Sequence, residues 1–464
     1  MTVPAQPPAA DAPGLAGLRR ALVIGLGASG RAAADLLAAA GIEVTIAEQN
    51  GDHPGGEAAR AAGHQVMLGA PTPAPEGYDL VVPSPGVPES SPALVAAAEQ
   101  AVPVVSEPEL AFRFRPVPVI GITGTNGKTS VTELVTAMLA ADGRDALACG
   151  NIGMPMSEAV RTAGPDTLLV VELSSFQLRF VEQLRCSVAA LLNLADDHLD
   201  WHGGAEAYHR AKARIWRAQQ PGDWAVANLD DPVAAELRDR HAPSRRADVT
   251  LRRAPSSTGI GVRDGWLVAD LPGHTGEVVA LGELPLSAPH HHANVAAAAT
   301  VALLSGARVD AVAGAARAFH PGRHRLELVA EDDGVRYVDD SKATNVHAAA
   351  ASLGSAESII WVAGGLAKGA DLTSLVDHLG SVREAVLIGE AAEDLARVCA
   401  AADVATRRAD SMEEAVALAA GLARPGDTVL LAPACASFDQ FRDYAERGER
   451  FAAAARDLTS RSRS

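Results

Sequence analysis

Short, continuous apolar runs alternate with Ala-rich stretches along nearly the whole chain, and this rhythm narrows the fold more than any other feature. The runs are ALVIG (21–25), VTIAE (44–48), DLVVP (79–83), VPVIGITG (117–124), TLLVVELSS (167–175), VAALLNL (188–194), RYVDD (336–340), SIIWVAGG (358–365), EAVLIGE (384–390) and DTVLLAPA (427–434). A strand that is apolar throughout, rather than at every second residue, is covered on both faces. Strand and helix in alternation build parallel sheets flanked by helices, so the predicted class is α/β. The pattern restarts three times, each time with its own glycine-rich turn or polar strand end. For 464 residues, three domains are expected. A flexible tail (1–17) precedes a Rossmann-like domain (18–116). A central domain (117–322) and a C-terminal Rossmann-like domain (323–464) follow. The boundaries rest on FRFRPVP (112–118) and the Pro-Gly turn in FHPGRHRLE (319–327). Residues 245–290 are polar, with short alternating runs, and predict a small antiparallel sheet added to the central domain.

Composition says what such a chain does not do. Aromatics are 4 % of it, so its cores rest on Ala, Val and Leu. Against 40 Lys+Arg stand 57 Asp+Glu, a net charge of −17. That balance gives no general attraction to nucleic acid or to an anionic membrane, so any phosphate must be held locally. Cys149, Cys186, Cys399 and Cys435 are scattered, with no C-x-x-C pair, which fits a reducing compartment. No window reaches the ~20 apolar residues of a membrane span, and the Ala/Pro-rich start is no signal peptide. The expectation is a cytoplasmic protein without membrane insertion.

The first apolar run enters Gly25-Leu-Gly27-Ala-Ser29-Gly30, a G-x-G-x-x-G turn, and the next ends at Glu48. Glycines there let the chain turn tightly under a phosphate, and a carboxylate at the second strand end can accept ribose hydroxyls. Alone, this fits an NAD dehydrogenase as well as any other nucleotide binder. The central domain opens on Gly121-Ile-Thr-Gly124-Thr125-Asn126-Gly127-Lys128-Thr129 between a strand and a helix. Such a loop aims backbone N–H groups at phosphate oxygens; Lys128 adds a cation, and the Thr129 hydroxyl can hold Mg²⁺. Gly121 lies one residue too early for G-x-x-x-x-G-K-T. Glu172 closes the next apolar strand, where a carboxylate beside a phosphate loop is a natural Mg²⁺ ligand. Asn193-Leu-Ala-Asp196-Asp197-His198-Leu-Asp200 follows another strand end. Three consecutive histidines, His290 to His292, cannot share one helix face and are not read as a metal site.

TGTNGKT (123–129), GNIG (150–153), ELSSFQL (172–178), DDHLD (196–200) and YHRAKARI (208–215) resemble, in that order, the Mur ligases and their folylpolyglutamate synthetase relatives. Members of that family have the same longer loop spacing. The resemblance implies ATP-driven phosphorylation of a carboxylate, followed by attack of an amine on the acyl phosphate. By resemblance, Lys128, Glu172, His198 and Lys212 are catalytic, and Thr129, Glu172, His198 and Lys212 serve two Mg²⁺ sites, with Lys212 carried as a carbamate. Gly124 to Thr129, Asn294, Arg325 and Asp340 match ATP-binding positions. DDSKATN (339–345) and PACASFDQF (433–441) resemble the glutamate-adding members. That implies UDP-N-acetylmuramoyl-L-alanine and D-glutamate as substrates; a monomer is expected. Gly27, Ser29, Glu48, Ser84, Pro85, Gly86, Asn151, Ser174 and Gln177 then hold the UDP-sugar. Lys342, Thr344, Lys368, Ser437 and Tyr444 match the glutamate pocket. A dehydrogenase leaves TGTNGKT unexplained. A non-catalytic regulator needs the loop but not Lys128, Glu172, His198 and Lys212 together.

Overall fold

The computed structural model describes residues 12–462. Its strands form three sheets. The first holds β1 (Arg20–Ile24), β2 (Glu43–Glu48), β3 (Gln65–Leu68) and β4 (Leu80–Pro83). All are parallel, in the order β3-β2-β1-β4. The second holds β5 (Val119–Thr123), β6 (Ala146–Gly150), β7 (Leu168–Glu172), β8 (Val188–Leu191), β9 (Trp224–Asn228), β10 (Arg245–Val249), β11 (Gly259–Arg263), β12 (Trp266–Leu271) and β13 (His274–Ala280). Its order is β13-β12-β11-β10-β9-β8-β5-β7-β6. The third holds β14 (Glu327–Asp332), β15 (Val335–Asp339), β16 (Ile359–Gly364), β17 (Val382–Ile388), β18 (Ala405–Arg408) and β19 (Thr428–Leu431), ordered β14-β15-β19-β16-β17-β18.

The apolar strands lie where continuous hydrophobicity requires: every residue of β5, β16 and β19 is buried. The antiparallel strands expected between 245 and 290 are β11 to β13. They extend the second sheet rather than forming one of their own, and β10 runs parallel to both β9 and β11. Backbone donors at the sheet edge are thereby paired in one continuous ladder. The third sheet carries one antiparallel edge strand, β14 on β15.

Two compact units result: residues up to Leu284 with His292–Ala318, and Pro285–His291 with Phe319–Ser464. Within the first unit the chain near 116 is not a break in packing. Leu36, Leu37 and Leu110 share one buried cluster with Met156, Val160 and Trp216. The tail expectation is corrected for residues 12–17; residues 1–11 lie outside the described residues. Pro13–Leu15 form a 3₁₀ turn, and Leu15 is 4 % exposed within that same cluster. Burying a leucine stabilises by about 2 kcal/mol, enough to hold a short turn down. No helix among the described residues is long and apolar enough to cross a membrane.

Candidate active site

The phosphate-loop motif joins β5 to the helix Lys128–Ala141. Gly124 (φ 159°) and Gly127 (φ 80°) take backbone conformations that side chains resist. A Cβ on Gly127 would lie 2.4 Å from the Asn294 amide oxygen, so Asn294 sits directly against the loop. Gly121 does other work. It lies inside β5, and a Cβ there would meet the Cys186 sulfur at 2.6 Å. Its early position is explained by strand packing, and the phosphate loop begins after it.

The loop is clamped by its neighbours in the fold. Asn126 N–H donates to the Asn193 amide oxygen at 2.8 Å, and Asn193 Nδ2 donates back to the Asn126 carbonyl at 3.1 Å. The Thr125 hydroxyl meets the Tyr208 hydroxyl at 2.9 Å and accepts Ala195 N–H at 3.0 Å. Lys128 Nζ donates to the Gly124 carbonyl at 2.9 Å and to the Thr125 carbonyl at 2.8 Å. Lys212 Nζ reaches the same Gly124 carbonyl at 2.7 Å from the helix Ala205–Ala213. Two lysine nitrogens therefore converge on one oxygen. Lys212 is 2 % exposed. Burial, and then the Lys128 charge, push its ammonium well below the ordinary lysine range, against the pull of Asp197 and Glu172.

Glu172 ends β7, beside this loop in the sheet. One carboxylate oxygen accepts Asn151 Nδ2 at 2.9 Å; the other is buried without a protein partner. Asn151 N–H also donates to the Glu172 carbonyl, at 2.9 Å. Ser174 and Gln177 form a capping box at the next helix start: Gln177 Oε1 accepts from Ser174 N–H and hydroxyl, and Gln177 N–H donates to Ser174 Oγ. His198 takes a left-handed conformation (φ 53°) ahead of Leu199–His202, with its Nε2 3.6 Å from Asp197. Its ring lies 4.7 Å from that of Phe176. Thr129 is the second residue of the loop helix.

At the first sheet, Gly27 caps the helix Ala28–Ala39, and Ser29 lies in its first turn. Glu48 holds the glycine turn itself: its oxygens accept Leu26 N–H and Asn50 N–H, each at 2.9 Å. Burial works to raise its pKa; the Asn50 and Leu26 amides and nearby His53 outweigh that and leave it below the usual value. Ser84, Pro85 and Gly86 follow β4. A Cβ on Gly25 would meet Ser84 Oγ at 2.6 Å, so the serine packs under the glycine turn.

The second unit gathers the remaining candidates at its strand ends. Asp340 follows β15, accepts Leu326 N–H at 3.3 Å and the Ser352 hydroxyl, and is pushed up to about 6 by burial. Arg325 stands between two left-handed residues, His324 (φ 64°) and Leu326 (φ 48°), with His324 Nδ1 2.6 Å from Asp339. Lys342 Nζ lies 3.7 Å from the centre of the Tyr444 ring, and Lys368 Nζ 4.8 Å from that of Phe438. Thr344 N–H donates to the Lys342 carbonyl at 2.8 Å. Ser437 is buried after β19.

Sequence reasoning missed Arg447. Its guanidinium is fully buried and donates to Ser341 Oγ at 3.0 Å, the Ser341 carbonyl at 2.9 Å, the Cys435 carbonyl at 3.0 Å and the Gly364 carbonyl at 3.4 Å. One side chain thus ties together the three strand ends that carry Lys342, Lys368 and Ser437. Burial lowers it to about 10, still charged at neutral pH. The signal was faint: an arginine on a polar C-terminal helix looks like a solvated one.

The chain matches known proteins along nearly its whole length. Residues 122–302 match the Mur ligase middle domain, residues 324–435 the Mur ligase glutamate ligase domain and residues 19–106 the MurD-like N-terminal domain. A UDP-N-acetylmuramoylalanine–D-glutamate ligase from Frankia casuarinae is 49 % identical over 94 % of this chain and 93 % of its own length. Proteins of the same name from Thermobifida fusca and Geobacillus kaustophilus are 45 % and 41 % identical, covering 95 % and 93 % of this chain and 98 % and 96 % of theirs. Among solved structures, a pseudomurein peptide ligase type C from Methanothermus fervidus shares the fold at a TM-score of 0.59 and 18 % identity, over 95 % of this chain and all of its own. The MurF ligase of Thermotoga maritima, solved in complex with ADP, does so at 0.59 and 16 %, over 90 % and 96 %. The chain belongs to the Mur ligase family.

Proposed function

We propose that this chain joins D-glutamate to the alanyl carboxylate of UDP-N-acetylmuramoyl-L-alanine, with ATP giving ADP and phosphate, as a step in peptidoglycan precursor synthesis. The observation that carries this reading is the meeting of Lys128 and a fully buried Lys212 on the Gly124 carbonyl, one strand away from the unpartnered Glu172 oxygen. The shared name of its curated relatives supports the choice of substrates.

A free carboxylate is a poor acyl donor because its oxygen leaves badly. Its attack on the γ-phosphorus expels ADP and forms an acyl phosphate. The glutamate amine then adds to the carbonyl, the C–O bond to phosphate breaks, and the amine proton passes to solvent. In this reading the loop amides and Lys128 receive the charge of the transferring phosphoryl group. Asn294, held against Gly127, lines the ATP side in the first unit; in the second unit Arg325 and Asp340 match ATP-binding positions. Gly27, Ser29, Ser84 and Asn151 contact the UDP-sugar. Lys342, Thr344, Lys368, Ser437 and Tyr444 receive the two glutamate carboxylates.

The residues present fit Mg²⁺, because a buried carboxylate oxygen without a protein partner ends the strand beside the one that leads into the phosphate loop. Thr129, Glu172, His198 and Lys212 would hold it at two sites, where it offsets the charge of a carboxylate meeting a triphosphate. A neutral Lys212 amine can add CO₂ and release a proton, which turns a cation into an anionic ligand. A monomer working in the cytoplasm completes the reading.

The test is phosphate release from ATP with Mg²⁺ and UDP-N-acetylmuramoyl-L-alanine, with D-glutamate, L-glutamate, L-alanine, glycine or a diamino acid added in parallel. Release that needs both the UDP-sugar and D-glutamate, with a product heavier by one glutamate residue, is expected. Release with another amino acid alone would overturn the pocket assignment, and release with none would overturn the ligase reading.

A further inference from the structure

Beyond β8 the chain leaves the sheet ladder as an irregular tract, Asn193-Leu194-Ala195, and this tract carries the clamps on the phosphate loop. The Asn193 carbonyl accepts Thr125 N–H at 3.0 Å, the Asn193 amide pairs with Asn126, and Ala195 N–H reaches the Thr125 hydroxyl at 3.0 Å. Asp196, Asp197 and His198 come directly after it. Backbone outside a ladder keeps its place only if its own N–H groups find acceptors. Leu194 N–H finds one in the Asp231 carboxylate, 37 positions on, at 2.6 Å.

Asp231 follows β9, which flanks β8 on the side away from β5. It caps the helix Pro232–His241, with Oδ1 accepting Ala234 N–H at 3.0 Å. Capping alone is served as well by Asn or Ser, each with one oxygen to offer. A carboxylate has two, and both are acceptors. The second oxygen is the one on Leu194, in a short bond of the kind a charged acceptor makes. Asp230, next in the chain, supplies the contrast. Its oxygens accept the Thr250 hydroxyl at 2.6 Å and Leu251 N–H at 2.8 Å, both beyond β10 on the other side of β9. Two neighbouring aspartates thus brace opposite sides of one strand end, and Asp231 alone of the two braces the side that touches the phosphate loop.

We infer that Asp231 is a positioning residue for phosphoryl transfer: by fixing Leu194 it sets the tract that holds Thr125 and Asn126 and leads into His198. This rests on the ATP-dependent reading above.

Asp231→Asn tests it. One asparagine oxygen keeps the helix cap, and its NH₂ then opposes Leu194 N–H. Asp231→Ser is a second variant, which also keeps a cap but is too short to reach Leu194. Asp230→Asn is the control, since it weakens the same turn without touching the tract. Each full-length variant is compared with wild type for kcat, for KM of D-glutamate and for urea midpoint. Each is also titrated with a non-hydrolysable ATP analogue and Mg²⁺. Both Asp231 variants should lose about tenfold or more in kcat and bind the analogue about fivefold more weakly, with KM for D-glutamate unchanged. Asp230→Asn should show a similar drop in urea midpoint with wild-type kcat and analogue affinity. In a cycle with Asn193→Ala, the double variant should lose less than the product of the single losses, because both changes act through one tract. Equal kcat losses in the Asp230 and Asp231 variants, an unchanged kcat in both Asp231 variants, or losses that multiply in the cycle would overturn the inference. Absence of wild-type turnover would instead count against the ligase reading, and the analogue titration still reads the loop in that case.

Discussion

The phosphate-loop site and the proposed glutamate pocket each carry a pair of lysines, yet they hold those lysines in opposite ways. Lys128 and Lys212 rest on backbone carbonyls of the loop they serve. Lys342 and Lys368 rest on the faces of Tyr444 and Phe438. A carbonyl is a strong, directional acceptor that keeps an ammonium at one point, which suits a phosphate passing through a fixed line of attack. An aromatic face attracts a cation by about 0.5–1 kcal/mol when exposed, and gives it up readily to a carboxylate. Under the proposed function, the first arrangement suits a preorganised transition state and the second an exchange of a weak partner for a substrate.

If that contrast holds, Lys128→Ala should give the largest loss, about 10³-fold in kcat with the fold intact, measured by steady-state kinetics and circular dichroism. A loss confined to KM for ATP would mean that Lys128 only binds. Arg447→Met comes next. It leaves four acceptors around Ser341, Gly364 and Cys435 unsatisfied, so KM for D-glutamate should rise about 10- to 100-fold while KM for ATP changes little. Equal damage to both constants would deny Arg447 its place as organiser of the second site.

The Asp340 carboxyl stands at about 6 in the fold against an ordinary 3.8, so burial makes its charged form costly. Below pH 3.8 folded and unfolded chains both carry the proton and nothing is lost. The penalty grows between 3.8 and 6 and stays constant above that, at about 3 kcal/mol. Asp340→Asn should therefore stabilise the chain at pH 8 in urea titrations, with the gain fading towards pH 4. A gain that grew on acidification would contradict the buried-acid account. The smallest effect is expected from Gly127→Ala. A left-handed alanine costs about 1–2 kcal/mol and its Cβ would press on Asn294, so KM for ATP should rise about tenfold.

The two regions also differ in how far they can be read from the chain. Phosphate recognition by backbone amides needs glycines at set spacing between a strand and a helix, and that pattern is local. The loop, Glu172 at its strand end and the restart of the β pattern were therefore legible. Gly121 was misleading because a packing glycine and a loop glycine look alike until Cys186 is seen beside it. Recognition by side chains on separate strand ends depends on contacts between distant residues. Arg447 acts on Ser341, 106 positions away, and no periodicity reports that. Glu48, expected at a ribose, also fastens Leu26 N–H from 22 positions away, a use that residue type alone does not announce.

In the proposed reaction a carboxylate is activated as an acyl phosphate before the amine arrives. UDP-N-acetylmuramoyl-L-alanine labelled with ¹⁸O in its alanyl carboxylate, incubated with ATP, Mg²⁺, D-glutamate and enzyme, tests it directly by mass analysis of the released phosphate. One ¹⁸O atom transferred to each phosphate, with the other retained in the amide product, is the predicted result. Phosphate released without label would contradict the account.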